Sequence, residues 1–117
     1  MGRPVVHFEI GVDDPERSER FYRELFGWTM QEAAGGYRLV LTDGDVGIGG
    51  GLMPTREAMP TYVTIYVDVE DLEATLLAAE KLGGKTLVEP MPIEGVGRFA
   101  MFGDPDGNMV GILAQNE

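Results

Sequence analysis

An imidazole and a carboxylate stand two residues apart in V-V-H-F-E-I-G-V, residues 5–12, as His7 and Glu9. In a β-strand this spacing puts both on one face. Such a pair can pass a proton or offer two donors to a metal ion, and the carboxylate favours the charged imidazole. A second stretch, T-Y-V-T-I-Y-V-D at residues 61–68, carries Tyr62, Thr64 and Tyr66 at the same period. Two phenols and a hydroxyl on one face suit an aromatic or amphiphilic ligand. Arg98 could meet an anionic ligand after the Gly95–Gly97 stretch, although a surface guanidinium is the plainer reading. The chain has no Cys, which removes disulfides, thiolate nucleophiles and thiolate metal sites together.

These groups need elements to position them. Both stretches alternate. Val6, Phe8, Ile10 and Val12 lie opposite His7, Glu9 and Gly11, and Thr61, Val63, Ile65 and Val67 lie opposite Tyr62, Thr64 and Tyr66. Each strand runs into a helix. The first starts at Asp14-Pro15, carries Phe21, Tyr22, Leu25 and Phe26, and stops at Gly27. The second is capped by Asp68 or Glu70, carries Leu72, Leu76, Ala79 and Leu82, and stops at Gly83-Gly84. Phe21, Tyr22, Phe26 and Trp28 read as core. Three further strands follow each helix, at residues 28–33, 37–42 and 46–53, then 85–91, 98–102 and 109–114. The order is βαβββ twice, a tandem duplication with modules at residues 4–53 and 61–115 in one domain of residues 1–117. The fold class is α+β: a cupped mixed sheet with helices on one face and a concave pocket on the other.

Composition limits the partners. Nine Lys and Arg against 20 Asp and Glu give a net charge of −11, which argues against a nucleic-acid partner. No apolar run approaches the roughly 20 residues of a membrane span, and residues 1–7 lack an apolar signal core, so a cytoplasmic location is expected. Gly47, Gly49, Gly50 and Gly51 lack the Lys-Ser/Thr ending of a phosphate loop. The acidic pairs Asp13-Asp14 and Glu70-Asp71 read as helix starts, not a calcium loop.

H-F-E-I-x-V-D-D-P-x-R-x-x-x-F-Y-x-x-L-F-G-W at His7 to Trp28 resembles the opening of the vicinal oxygen chelate superfamily, which includes glyoxalase I, bleomycin-resistance proteins and extradiol dioxygenases. D-P-D-G-N at Asp104 to Asn108 resembles its closing signature. G-G-G-L-M-P at Gly49 to Pro54 and G-V-G-R-F at Gly95 to Phe99 resemble a subgroup described as related to lactoylglutathione lyase. The resemblance implies paired βαβββ modules, often completed in a homodimer. It also implies a divalent metal held by the first and last strand of each module, stabilising an enediolate or catecholate. His7 matches the first ligand position. Tyr62, Gly50 or Gly51, and Gly111 stand at the other three, so the chelating set is broken and no cofactor is expected. The expected function is metal-independent binding of a small organic molecule by His7, Glu9, Tyr62, Thr64, Tyr66 and Arg98. The alternative is a lyase, isomerase or dioxygenase-like enzyme using His7 and Glu9, with or without a metal. A non-catalytic interaction module is a third reading.

Overall fold

The computed structural model describes residues 2–44, 46–55, 60–93 and 96–115. Glu94, Gly95 of the Gly95–Gly97 stretch, and residues 56–59, which fall between the two expected modules, lie outside the described residues. The elements run β1 (Val5–Val12), α1 (Pro15–Phe26), β2 (Thr29–Glu32), β3 (Arg38–Leu41), β4 (Gly50–Pro54), β5 (Tyr62–Asp68), α2 (Leu72–Lys81), β6 (Lys85–Ile93), β7 (Gly97–Gly103) and β8 (Met109–Gln115). This is βαβββ twice, an α+β fold. The chain forms two compact units, one of residues 7–64 and the other of residues 1–6 with 65–117. β1 and β5 each contribute to both.

In the unit of residues 7–64 the strand order is β2-β3-β4-β1. β1 and β4 are parallel, with Phe8 opposite Gly50 and Glu9 opposite Gly51, and the remaining pairs are antiparallel. α1 begins where the Asp14 carboxylate accepts the Arg17 amide at 3.2 Å, with Pro15 in the first turn. It ends at Gly27, whose φ of 76° closes the last turn without the Cβ penalty another residue would bear. Val12, Val40 and Leu52 form the core, with Phe8, Ile10, Tyr22, Trp28 and Met30 packed against them. In the second unit the order is β5-β8-β7-β6, and β5 runs parallel to β8 with Tyr66 opposite Gly111. Its core is Val69, Leu72, Leu76, Ala100, Ile112 and Ala114. The cap of α2 is Asp71, which accepts the Ala74 amide at 3.0 Å, in place of the expected Asp68 or Glu70.

Two expectations about burial are corrected. Phe21 and Phe26 are not core: they are 57% and 59% exposed. α1 turns Tyr22 inward, where it stacks on Trp28 at 5.1 Å. Residues flanking such a contact point along the helix rim, since successive positions step by about 100°. On β5 the alternation is right but its burial is inverted. Thr64 and Tyr66 are buried, whereas Val63 is 74% exposed and Ile65 is also exposed. The core under α1 uses the β1 end at Val12, and that under α2 uses Val67 and Val69, so neither cluster includes residues 63 and 65. No helix among the described residues is long and apolar enough to cross a membrane.

Candidate functional site

β1 supplies the first two groups. Its pleat puts His7, Glu9 and Gly11 on the face opposite Phe8, Ile10 and Val12. The parallel register then sets Gly51 beside Glu9. A Cβ on Gly51 would overlap the Tyr37 hydroxyl and ring, while one on Gly50 would meet the Phe8 ring across the sheet. Gly51 is therefore the member of the pair that faces the site. Tyr37 arrives there by way of the 3-10 turn at Ala34–Gly36, where Gly35 and Gly36 have φ of 70° and 82°. The Ala33 amide donates to the Tyr37 carbonyl at 2.8 Å and closes that turn.

The side chains form one hydrogen-bonded chain. Tyr37 Oη lies 2.8 Å from His7 Nε2 and donates to Glu9 Oε1 at 3.3 Å. Tyr62 Oη donates to Glu9 Oε2 at 2.6 Å. The Tyr62 ring covers Gly11, where a side chain would overlap it. Glu9 is only 7% exposed, so phenol donors offset part of the water it lost. Burial pushes the Tyr37 phenol far above its ordinary 10, helped by the charge and hydrogen bond of Glu9. Burial does the same for Tyr62, followed by its hydrogen bond to Glu9 and the carboxylate's charge. Burial lowers His7 below its ordinary 6.5, against the opposing pull of Glu9. The arrangement holds a neutral imidazole, two protonated phenols and a carboxylate ready to accept.

Of the residues expected at the site, the structure joins Tyr62 to Glu9 directly and His7 to Glu9 through Tyr37. Thr64 is buried one pleat along from Tyr62. Tyr66 belongs to the second unit, where its ring covers Gly111 and meets Phe99 edge-on at 6.3 Å. Arg98, in the same unit, makes a two-pronged bond to Glu73 of α2 at 2.8 and 3.1 Å. Tyr37 is the residue that reading the sequence missed. The Gly35-Gly36 turn before it and the glycine it covers were the signals that could have found it.

The chelating frame that the family resemblance implies does not fit these donors. Among the described residues no three or more of His, Cys, Asp and Glu gather to hold a metal. On this face of β1, His7 and Glu9 carry the metal-ligating atoms, and Nε2 and both Glu9 oxygens already meet phenols. A protonated phenol is a weak donor to a divalent ion, and the space for a longer ligand at Gly51 is filled by Tyr37.

Known proteins bear on this geometry. The family model for the Glyoxalase/Bleomycin resistance protein/Dioxygenase superfamily matches residues 5–112. The chain is 36% identical over 112 residues to "Putative glyoxylase CFP32" of Mycobacterium tuberculosis (strain CDC 1551 / Oshkosh), across 93% of this chain and 43% of that protein. It is 32% identical over 117 residues to the anthracycline biosynthesis protein DnrV of Streptomyces peucetius, across 86% of this chain and 42% of DnrV. It thus spans less than half the length of either relative. A superfamily member of the same description from Vibrio splendidus 12B01 shares the fold with a TM-score of 0.68 at 17% identity, over 97% of this chain and 99% of that one. A duplicated βαβββ plan whose signature motifs run from His7 to Asn108, and a family match that spans them, assign the chain to the Glyoxalase/Bleomycin resistance protein/Dioxygenase superfamily.

Proposed function

We propose that this chain binds a small organic molecule, aromatic or amphiphilic, without a metal ion. The carrying observation is the chain His7–Tyr37–Glu9–Tyr62, in which phenols fill the space of chelating side chains and meet both carboxylate oxygens. Glu9 brings a negative charge and the neutral imidazole does not offset it. A neutral or cationic ligand that donates a hydrogen bond is therefore favoured over a carboxylate. DnrV, a relative named for anthracycline biosynthesis, supports a small organic ligand by analogy alone. A homodimer is part of the same proposal, with a second copy covering the exposed Phe21, Leu25 and Phe26 of α1.

The test is a thermal melt of metal-analysed, untagged protein against 4-methylphenol, benzylamine and 4-methylbenzoate, with Mn²⁺, Ni²⁺ and Zn²⁺ as controls. A ligand that binds the native state raises the midpoint. The phenol or the amine is expected to do so, and the benzoate and the ions are not. One tightly held divalent ion per chain would overturn the metal-free reading.

The bridge of Tyr37 between His7 and Glu9 favours a second reading, an enzyme that uses this pair for proton transfer. In that case His7→Ala abolishes turnover and leaves the fold intact, and unchanged turnover would refute the role.

A further inference from the structure

We infer that Tyr37 is a positioning residue that fixes His7 as its Nε2–H tautomer. A phenol has one proton to donate, and Tyr37 Oη has two neighbours, His7 Nε2 at 2.8 Å and Glu9 Oε1 at 3.3 Å. If the proton went to Nε2, a phenol lone pair would face a buried carboxylate oxygen, acceptor against acceptor. If it goes to Glu9, the phenol accepts from Nε2–H, and both contacts become hydrogen bonds. The second arrangement also gives the proton to the charged acceptor, the stronger partner. Tyr62 donates to Oε2 from the far side, so Oε1 is the oxygen that meets Tyr37. Gly51 supports it from beneath, since only a residue without Cβ leaves room for the Tyr37 ring there.

The consequence is a directional imidazole. Its proton is committed to the Tyr37 side, and Nδ1 carries the lone pair. The tautomer does not rest on the binding function proposed above.

The chain holds one histidine, so every imidazole signal belongs to His7. Two-bond proton–nitrogen correlation spectra of the full chain, taken above the ordinary titration range of imidazole, distinguish protonated from unprotonated ring nitrogens. The expected pattern is one tautomer with the proton on Nε2. Tyr37→Phe is expected to replace it with a mixture, and Tyr62→Phe, which leaves the Tyr37 bridge in place, is expected to retain it. A wild-type proton on Nδ1 would overturn the inference, as would an unchanged pattern in a folded Tyr37→Phe. If Tyr37→Phe does not fold, Gly51→Ala takes its place: it keeps the phenol but pushes it off Nε2, and a retained pattern there is equally fatal. A melt in which no probe binds would remove the proposed function and leave this spectrum as it is.

Discussion

At the scale of single residues, the chemistry of the site depends on holding the Glu9 carboxylate where water is scarce. Its two phenol donors make that tolerable, and the dependence is mutual. Glu9→Ala strands two partly buried hydroxyls and should cost about 1–3 kcal/mol, read as a lower urea midpoint, with Glu9→Gln costing less. A cost near zero would mean the phenols find water instead. The raised phenols also set an alkaline limit. Above their ordinary value of 10 the unfolded chain releases protons that folded Tyr37 and Tyr62 keep. Their contribution to stability is complete below that value and is lost as pH rises toward the folded values. Wild type should therefore lose stability between about pH 9 and 11 more steeply than Tyr62→Phe, measured by urea unfolding at each pH. His7 acts at the acid end. Its folded value lies below 6.5, so its contribution is present above that pH and declines as pH falls through the folded value. His7, Glu9 and Tyr62 were legible because strand alternation alone assigns their face. Tyr37 was not, because its reach depends on a turn conformation and on an empty Cβ position one strand away.

At the scale of elements, sequence pattern located each α-helix and strand among the described residues but did not say which positions of each would be covered. Caps explain the accuracy of the ends of α1: Asp14, Pro15 and Gly27 act locally, and local chemistry does not wait for tertiary packing. Burial does wait for it. On α2, Leu72 is fully buried and Leu76 nearly so, while Leu77 is exposed and Leu82 lies beyond the helix at its C-cap. The helical pattern named Leu72, Leu76, Ala79 and Leu82, but the helix ends at Lys81 before the last of them can turn inward. Leu72→Ala should therefore cost about 2–5 kcal/mol, since it leaves a cavity in a close-packed cluster. Leu77→Ala should stay within about 0.5 kcal/mol, being a surface change. Equal losses in paired denaturation curves would mean that the register of α2 over its sheet differs from that described.

At the scale of the whole molecule, two quantities pull in opposite directions. A net charge of −11 on 117 residues pushes copies apart, and Phe21, Leu25 and Phe26 on one helix draw them together. Repulsion between exposed charges is screened once the Debye length shrinks to about 10 Å near 0.1 M salt, whereas apolar burial is not weakened by salt. If α1 forms the homodimer contact, association should tighten as sodium chloride is raised. A contact held by ion pairs would loosen instead. Sedimentation velocity over a concentration series, at low salt and again at about 0.3 M, reads the sign directly. The variant Phe21→Lys with Leu25→Lys should remain monomeric at both salts and keep the wild-type urea midpoint within about 0.5 kcal/mol of stability when wild type is diluted to the monomer, because both side chains are more than half exposed in the isolated chain. A double variant that dimerises like wild type would move the contact away from α1. A wild-type chain that stays monomeric at every concentration and salt would overturn the homodimer itself.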